Sequence, residues 1–170
     1  MRISNKTIVI LNILVITVFL LPLTQLNLFS ENYSTLSLST RGYFYLLSFG
    51  IICGLLLSYE TYHISNKKNA ILMFLGLFIG VLIPHHVPYN FQGNIHLLFA
   101  YTGVFISLVI TYLNLLSNMN NALNTLFYLS IVAAVLSFMR YGMVTCITEV
   151  ILMLCILIIN MTIYIKRFRN

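Results

Sequence analysis

The sequence predicts an all-α integral membrane protein, a bundle of six transmembrane helices with both termini in the cytoplasm. Hydrophobic residues make up 60% of the 170-residue chain and charged residues only 7%. They form six long apolar runs separated by short polar breaks. Crossing a hydrocarbon core of about 30 Å takes roughly 20 apolar helical residues. The runs lack the period-two alternation of a membrane barrel, so helices are expected throughout a single membrane domain, residues 1–170.

The polar breaks set the order and the ends of the spans. A Ser-, Thr- and Asn-rich loop over residues 27–41 follows the first span, and Pro84 ends the third, because proline removes a backbone donor. Gly93 allows re-entry into the fourth, and only a short connection joins the fifth and sixth. The predicted spans are 7–28, 42–63, 69–86, 95–116, 122–140 and 143–165.

Basic residues give the orientation. The net charge of +6 could indicate a nucleic-acid partner, but these side chains lie at span ends and form no soluble basic face. Only Arg41 and Arg140 fall on one side of a six-span chain. Because cytoplasmic loops carry an excess of Lys and Arg, the other side is predicted to be cytoplasmic. The residues on that side are Arg2, Lys6, Lys67, Lys68, Lys166, Arg167 and Arg169.

Small and polar residues recur every three or four positions along three spans. In lipid, such lines mark the faces where helices pack closely or hydrogen-bond. They predict a compact bundle with its polar groups inward. The lines are Gly50, Gly54 and Ser58 in the second span, Gly76 and Gly80 in the third, and His96, Ala100, Gly103, Ser107, Thr111 and Asn114 in the fourth.

Glu149 is the strongest single candidate for a functional residue. If the sixth span begins near Met143, this carboxyl lies about 9 Å below the outer boundary. A carboxylate at membrane depth is costly and indicates a proton carrier, a ligand contact or a metal ligand. The alternative is a structural ion pair with Arg140 across the short fifth-to-sixth connection.

Several charged and titratable side chains share the outer end with Glu149. A basic rim above a polar interior suits a phosphate or carboxylate head group whose acyl chain lies between helices. The alternative is that the histidines of this short loop face only water and head groups. The candidate ligand-binding residues are Arg41, His85, His86, His96, Arg140 and Glu149.

A metal site is expected to be absent, as is any cofactor. The chain has no aspartate and no His-x-x-x-His or His-Glu-x-x-His spacing. The remaining zinc alternative combines His85 or His86 with His96 and Glu149. Haem needs two histidines at matched depth, and only His96 is well placed on a span.

Glu60 and His63 lie three residues apart near the predicted cytoplasmic end of the second span, beside Lys67 and Lys68. Long polar side chains there can reach the interface and pair. A structural pair is therefore expected, with a cytoplasmic gate as the functional alternative.

Nearly half of the chain, residues 33–109, resembles the six-span DRAM/Frag membrane superfamily, nearest to its uncharacterised bacterial branch. The motifs are the outer loop ENYSTLSLSTRG, the run FGIICGLLL, GLFIGVLIPHHVPY with Gly80 and Pro84, and GNIHLLFAYTGVF with His96 and Ala100. The resemblance implies links with lipid organisation or lipid-anchor remodelling, as in eukaryotic members. It covers neither Arg140 nor Glu149.

These observations favour a non-enzymatic protein that binds or handles a lipid or other amphiphile at the outer leaflet. Abundant Ile and Asn with scarce Ala indicate a bacterium with an AT-rich genome, and hence its cytoplasmic membrane. The alternatives are a small proton-coupled transporter using Glu149 and a membrane-embedded metal-dependent enzyme. Expected partners are membrane lipids, with a second copy or another membrane protein as a further option, and no nucleic acid.

Overall fold

The computed structural model describes residues 3–84, 91–118 and 120–169. Across these ranges the chain forms six α-helices and two 3₁₀ segments, with no β-strand. The α-helices are α1 (Asn5–Leu20), α2 (Thr40–Ile64), α3 (Lys67–Leu82), α4 (Phe91–Leu116), α5 (Asn121–Tyr141) and α6 (Cys146–Arg167), and the 3₁₀ segments are Leu21–Thr24 and Tyr33–Leu38.

Five helical segments are long and apolar enough to cross a membrane, which indicates a multi-pass membrane protein. They are Asn5–Thr24, Thr40–Ile64, Gly93–Leu116, Asn121–Tyr141 and Cys146–Arg167. The all-helical prediction is confirmed for the described residues. α3 is apolar but has 16 residues, a length of about 24 Å. Its predicted span, 69–86, ends on His85 and His86, which lie outside the described residues.

Short polar side chains set where several helices begin. Ser4, Ser39, Asn66 and Asn120 each accept a hydrogen bond from a backbone N–H in the following first turn. These caps satisfy donors that a helix cannot pair internally. The local sequence therefore determines these boundaries before any tertiary contact forms.

The start of α6 differs from the prediction. α5 ends at Tyr141 and is capped by Gly142, whose φ of 69° is left-handed, and α6 begins only at Cys146 instead of near Met143. Glu149 consequently lies in the first turn of α6, about 4.5 Å along the helix axis from Cys146. The positive end of the helix dipole favours a carboxylate at that position.

Glycines bring α2, α3 and α4 close together, as the small-residue lines predicted. A Cβ at Gly54 would lie 3.1 Å from the Phe74 ring, and one at Gly76 would lie 3.0 Å from the carbonyl oxygen of Gly103. Ser58 Oγ donates to the carbonyl oxygen of Ala70 (2.8 Å). α6 packs against α1, α2, α4 and α5, so it forms the centre of the bundle.

The chain termini meet at one end of the bundle, called here the terminal end. The amide of Ile3 donates to Tyr59 Oη (2.7 Å), and Tyr164 Oη donates to the carbonyl oxygen of Ile3 (3.0 Å). Asn5 Nδ2 donates to the carbonyl oxygen of Phe168 (3.1 Å). The opposite end, which carries residues 25–39, is called the loop end.

A set of polar side chains is buried among the helices towards the terminal end and is called here the inner polar layer. Asn114 Nδ2 donates to Asn160 Oδ1 (2.7 Å), and Asn160 Nδ2 donates to Thr111 Oγ1 (3.1 Å). None of its members is more than 1% exposed. The layer consists of Asn12, Glu60, Thr61, Thr111, Asn114 and Asn160.

The position of Glu60 corrects the expectation that it reaches the interface. Its side chain is fully buried and accepts a hydrogen bond from Asn12 on α1, whereas His63 packs against aromatic rings, including that of Tyr59. Pairing of Glu60 with His63 at the interface was therefore wrong. Glu60 lies on the face of α2 that points into the bundle, which spacing alone did not reveal.

Candidate functional site

A cavity of about 780 Å³ lies between the helices at the loop end. α2, α3, α4 and α6 form its walls, and the 3₁₀ segment Tyr33–Leu38 lines it as well. Most of the lining is apolar and includes Phe49, Leu97 and Leu152. Most of its polar lining comes from residues near the loop end, with Ser107 deeper along α4, so the cavity is largely apolar inside and polar at one end. The polar lining residues near the loop end are Asn32, Ser34, Thr35, Ser37, Asn94, His96, Thr148 and Glu149.

The line of small and polar residues on α4 is confirmed as a face that points into the bundle. His96, Ala100, Gly103 and Ser107 line the cavity. The last two members of the line, Thr111 and Asn114, continue the same face into the inner polar layer. One helix face thus connects the two polar regions of the bundle.

The loop between α1 and α2 is fixed to the start of α6 by backbone hydrogen bonds. The amide of Cys146 donates to the carbonyl oxygen of Glu31 (2.6 Å), and that of Ile147 donates to the carbonyl oxygen of Leu28 (3.2 Å). The α6 N-cap, Thr145, makes no side-chain cap. The loop carbonyls therefore satisfy donors that would otherwise be unpaired at the helix start.

Glu149 joins this loop to the cavity. Its Oε2 accepts a hydrogen bond from the amide of Tyr33 (2.6 Å), at the first residue of the 3₁₀ segment. Among the described residues, Oε1 has no hydrogen-bond partner. Because the half-buried side chain lines the cavity, this carboxylate oxygen is the best-placed acceptor for a ligand donor.

The His96 side chain hydrogen-bonds to two elements other than its own helix. Nδ1 lies 2.6 Å from the carbonyl oxygen of Ile83, and Nε2 lies 2.9 Å from Ser34 Oγ. A carbonyl only accepts, so Nδ1 carries a proton and donates. The buried ring thereby connects the end of α3, α4 and the 3₁₀ segment beside the cavity.

The structure separates the six candidate ligand-binding residues that were predicted at the outer end, called here the outer cluster. His96 and Glu149 line the same cavity, whereas Arg41 and Arg140 are exposed and do not line it. The Arg140 guanidinium lies 5.8 Å from the centre of the Tyr141 ring, and no ion pair joins it to Glu149. His85 and His86 lie outside the described residues.

The described residues hold no group of three or more His, Cys, Asp or Glu side chains that could surround a metal ion. Both ring nitrogens of His96 already face hydrogen-bonding partners. Two of the four candidate ligands for the zinc alternative, His85 and His86, are outside the described residues.

Sequence reasoning missed Tyr33, the aromatic residue that holds the loop in place. Its ring stacks on that of Phe19 (centroids 4.5 Å apart), and Phe19 stacks on Phe49 (5.0 Å). Its hydroxyl donates to the carbonyl oxygen of Phe19 (2.6 Å). Burial raises the pKa of this phenol, so it remains a neutral donor. A single tyrosine in a Ser-rich loop was the only available signal.

Comparison with known proteins gave no match: no family model, no curated protein and no solved structure is similar to this chain.

Proposed function

We propose that this chain is a protein of a bacterial cytoplasmic membrane that binds a lipid or another amphiphile in the loop-end cavity, without catalysis. In this proposal the chain crosses the membrane six times, with α3 as the third span. The terminal end faces the cytoplasm, since the positive-inside rule favours that side for Lys67, Lys68, Lys166 and Arg167. Membership of a DRAM/Frag-like family is likewise a proposal, supported by the sequence motifs alone.

The cavity is the observation that carries the proposal. Its volume of about 780 Å³ falls within the roughly 300–1,000 Å³ typical of small-molecule sites. Apolar walls suit a hydrocarbon chain, and hydrogen-bonding groups at one end suit a head group. A ligand that is apolar along its length and polar at its end matches both features.

The charged residues around the cavity favour a different class of head group from the one that the sequence predicted. Within the described part of the chain no Lys or Arg lines the cavity, whereas Glu149 does so with one oxygen unpartnered. A carboxylate favours a donor and repels an anion. We therefore propose an amine- or hydroxyl-bearing head group in place of the phosphate or carboxylate that a basic rim would have suited.

Filling the cavity tests the proposal directly. Leu97 lines the cavity, while its neighbour Leu98 is 65% exposed on the same helix. We expect Leu97→Trp to lower the amount of co-purified amphiphile at least tenfold, because the indole occupies the ligand volume, and Leu98→Trp to leave it unchanged. Mass spectrometry of gently extracted protein measures this amount. A wild-type protein without amphiphile, or equal retention by both variants, would refute the proposal.

Neutralising Glu149 tests the head group. Glu149→Gln keeps an acceptor for the Tyr33 amide but removes the charge, so affinity for a long-chain alkylamine should fall roughly 10- to 150-fold, given about 1.5–3 kcal/mol for a hydrogen bond to a charged group. Affinity for the matching long-chain alcohol should change much less. Glu31→Gln is the control, since Glu31 accepts from the amide of Asn27 and does not line the cavity. Equal losses for amine and alcohol would contradict the assignment.

A further inference from the structure

The pair formed by Glu60 and Asn12 lies in the inner polar layer, away from the cavity. Asn12 Nδ2 donates to Glu60 Oε1 (2.6 Å) and to the carbonyl oxygen of Ile8 (3.0 Å). Both partners are acceptors, so they fix which end of the carboxamide carries the hydrogens. The orientation of Asn12 Oδ1 follows from that assignment.

Two oxygens of this pair lack a donor. Glu60 Oε2 and Asn12 Oδ1 are buried and have no hydrogen-bond partner within the described residues. The two side chains are already in direct contact, and they are 0% and 1% exposed. Buried acceptors are nearly always satisfied in folded proteins, so these two oxygens need a hydrogen-bond donor or a cation.

Among the described residues, no positively charged side chain pairs with Glu60 Oε2 or Asn12 Oδ1. On α1, Lys6 is exposed, as are Lys67 and Lys68 on α3. On α6, the Arg167 guanidinium donates to the carbonyl oxygen of Ile64, and the Tyr164 hydroxyl is bonded to Ile3. The other titratable groups that α2 and α6 contribute to this half of the bundle are Cys53, Tyr59, Tyr62, His63, Cys155 and Lys166.

We propose that Glu60 is a proton-binding site of the folded protein, with the proton on Oε2 donated to Asn12 Oδ1. A carboxylic acid and a carboxamide then form a reciprocal pair with two hydrogen bonds. One proton satisfies both orphaned oxygens and removes the isolated buried charge. An ionised carboxylate would leave both oxygens without a donor and would keep the isolated buried charge.

The site lies beyond the cavity on the side of the terminal end. Cys53 lines the cavity, and Glu60 is seven residues further along α2, about 10 Å along the axis and on the same face. Ionisable residues inside membrane helices typically mark proton or ion sites. From the sequence, proton coupling was one interpretation of Glu149, whereas the arrangement of donors and acceptors selects Glu60.

Infrared spectroscopy of the full-length protein in lipid bilayers tests this assignment. The chain has only three acidic side chains, all glutamates, so carboxyl signals from ¹³C-glutamate labelling have few sources. At neutral pH we expect the carbonyl band of a protonated carboxylic acid. The component that belongs to Glu60 should vanish in Glu60→Gln, whose amide mimics the neutral acid, and persist in Glu31→Gln and Glu149→Gln.

Asn12→Leu provides a second measurement should Glu60→Gln fail to fold. Loss of the carboxamide removes both hydrogen bonds, so the band should shift to higher frequency. The proposal is overturned if the wild-type protein shows no such band, if Glu60→Gln removes no component of it, or if Asn12→Leu leaves every component unmoved. A band that sodium ions abolish at constant pH would also overturn it, because the site would then bind a metal cation.

Discussion

Gly103→Ala is expected to destabilise the protein by about 3 kcal/mol, the upper end of typical overpacking costs. A Cβ at this position would overlap the carbonyl oxygen of Gly76 and lie 3.3 Å from the amide nitrogen of Gly80. These are backbone atoms, which have no rotamer to adopt. α3 and α4 must therefore separate, and the cavity that Gly103 lines must change shape.

Gly80→Ala is the matched control on the facing helix. There a Cβ would lie 3.8 Å from the Cα of Ala100 and 3.9 Å from its carbonyl oxygen, which is ordinary contact. Since alanine favours a helix over glycine by up to about 1 kcal/mol, this variant should be at least as stable as the wild type. Unfolding in mixed micelles, followed by circular dichroism, measures both. Equal stability of the two variants would show that α3 and α4 are further apart than described.

The close packing of α3 and α4 was predictable because it depends on a local pattern. Four-residue spacing of small side chains places Gly76 and Gly80 on one face whatever the partner helix, and the same holds for Gly103 and Ser107. Helix starts were similarly local, since Ser39 and Asn66 cap the turns that follow them. These features require no knowledge of distant residues.

The partner of Glu60 was not predictable in the same way. Asn12 is 48 positions away, and their contact depends on the rotation and depth of two separate helices. Sequence spacing gave the height of Glu60 in the bundle but not the direction in which it faces. The prediction therefore placed a snorkelling side chain where the structure has a fully buried one.

The outer cluster shows the same limit. His96 and Glu149 were expected at one end of the bundle, and both line one cavity there. Arg41 and Arg140 have a similar height but are exposed. The position of a residue along the helix axis follows from counting residues. Whether it lines a cavity depends instead on the direction in which its side chain faces around that axis. The inward face of α4 could be identified only because its small residues extend over several turns.

The loop over residues 25–39 links the site to the stability of the bundle, and Tyr33 is its main contact. Sequence composition predicted turns here, but the contacts that order the loop come from α6, more than 100 residues later. Tyr33 is 5% exposed and stacks on Phe19. Its amide also holds Glu149, so one residue positions both the aromatic stack and the carboxylate.

Tyr33→Ala is accordingly expected to destabilise the protein by about 3–5 kcal/mol, as for other buried aromatic residues. The change removes the stack and leaves the carbonyl oxygen of Phe19 unpaired, while the backbone amide that binds Glu149 remains. Tyr33→Phe should cost only about 1 kcal/mol, because the ring is kept and a single hydrogen bond is lost. Retained amphiphile should fall in the alanine variant, since Tyr33 lines the cavity.

Tyr43→Phe compares the buried Tyr33 with a partly exposed tyrosine. Tyr43 Oη donates to the carbonyl oxygen of Leu82 (2.8 Å) at an exposed position, where water can replace the hydroxyl. This variant should unfold like the wild type in the same micelle assay.

If Tyr33→Ala were no less stable than Tyr33→Phe, the aromatic stack would contribute little, and the loop would have to be held chiefly by the backbone bonds of Cys146 and Ile147.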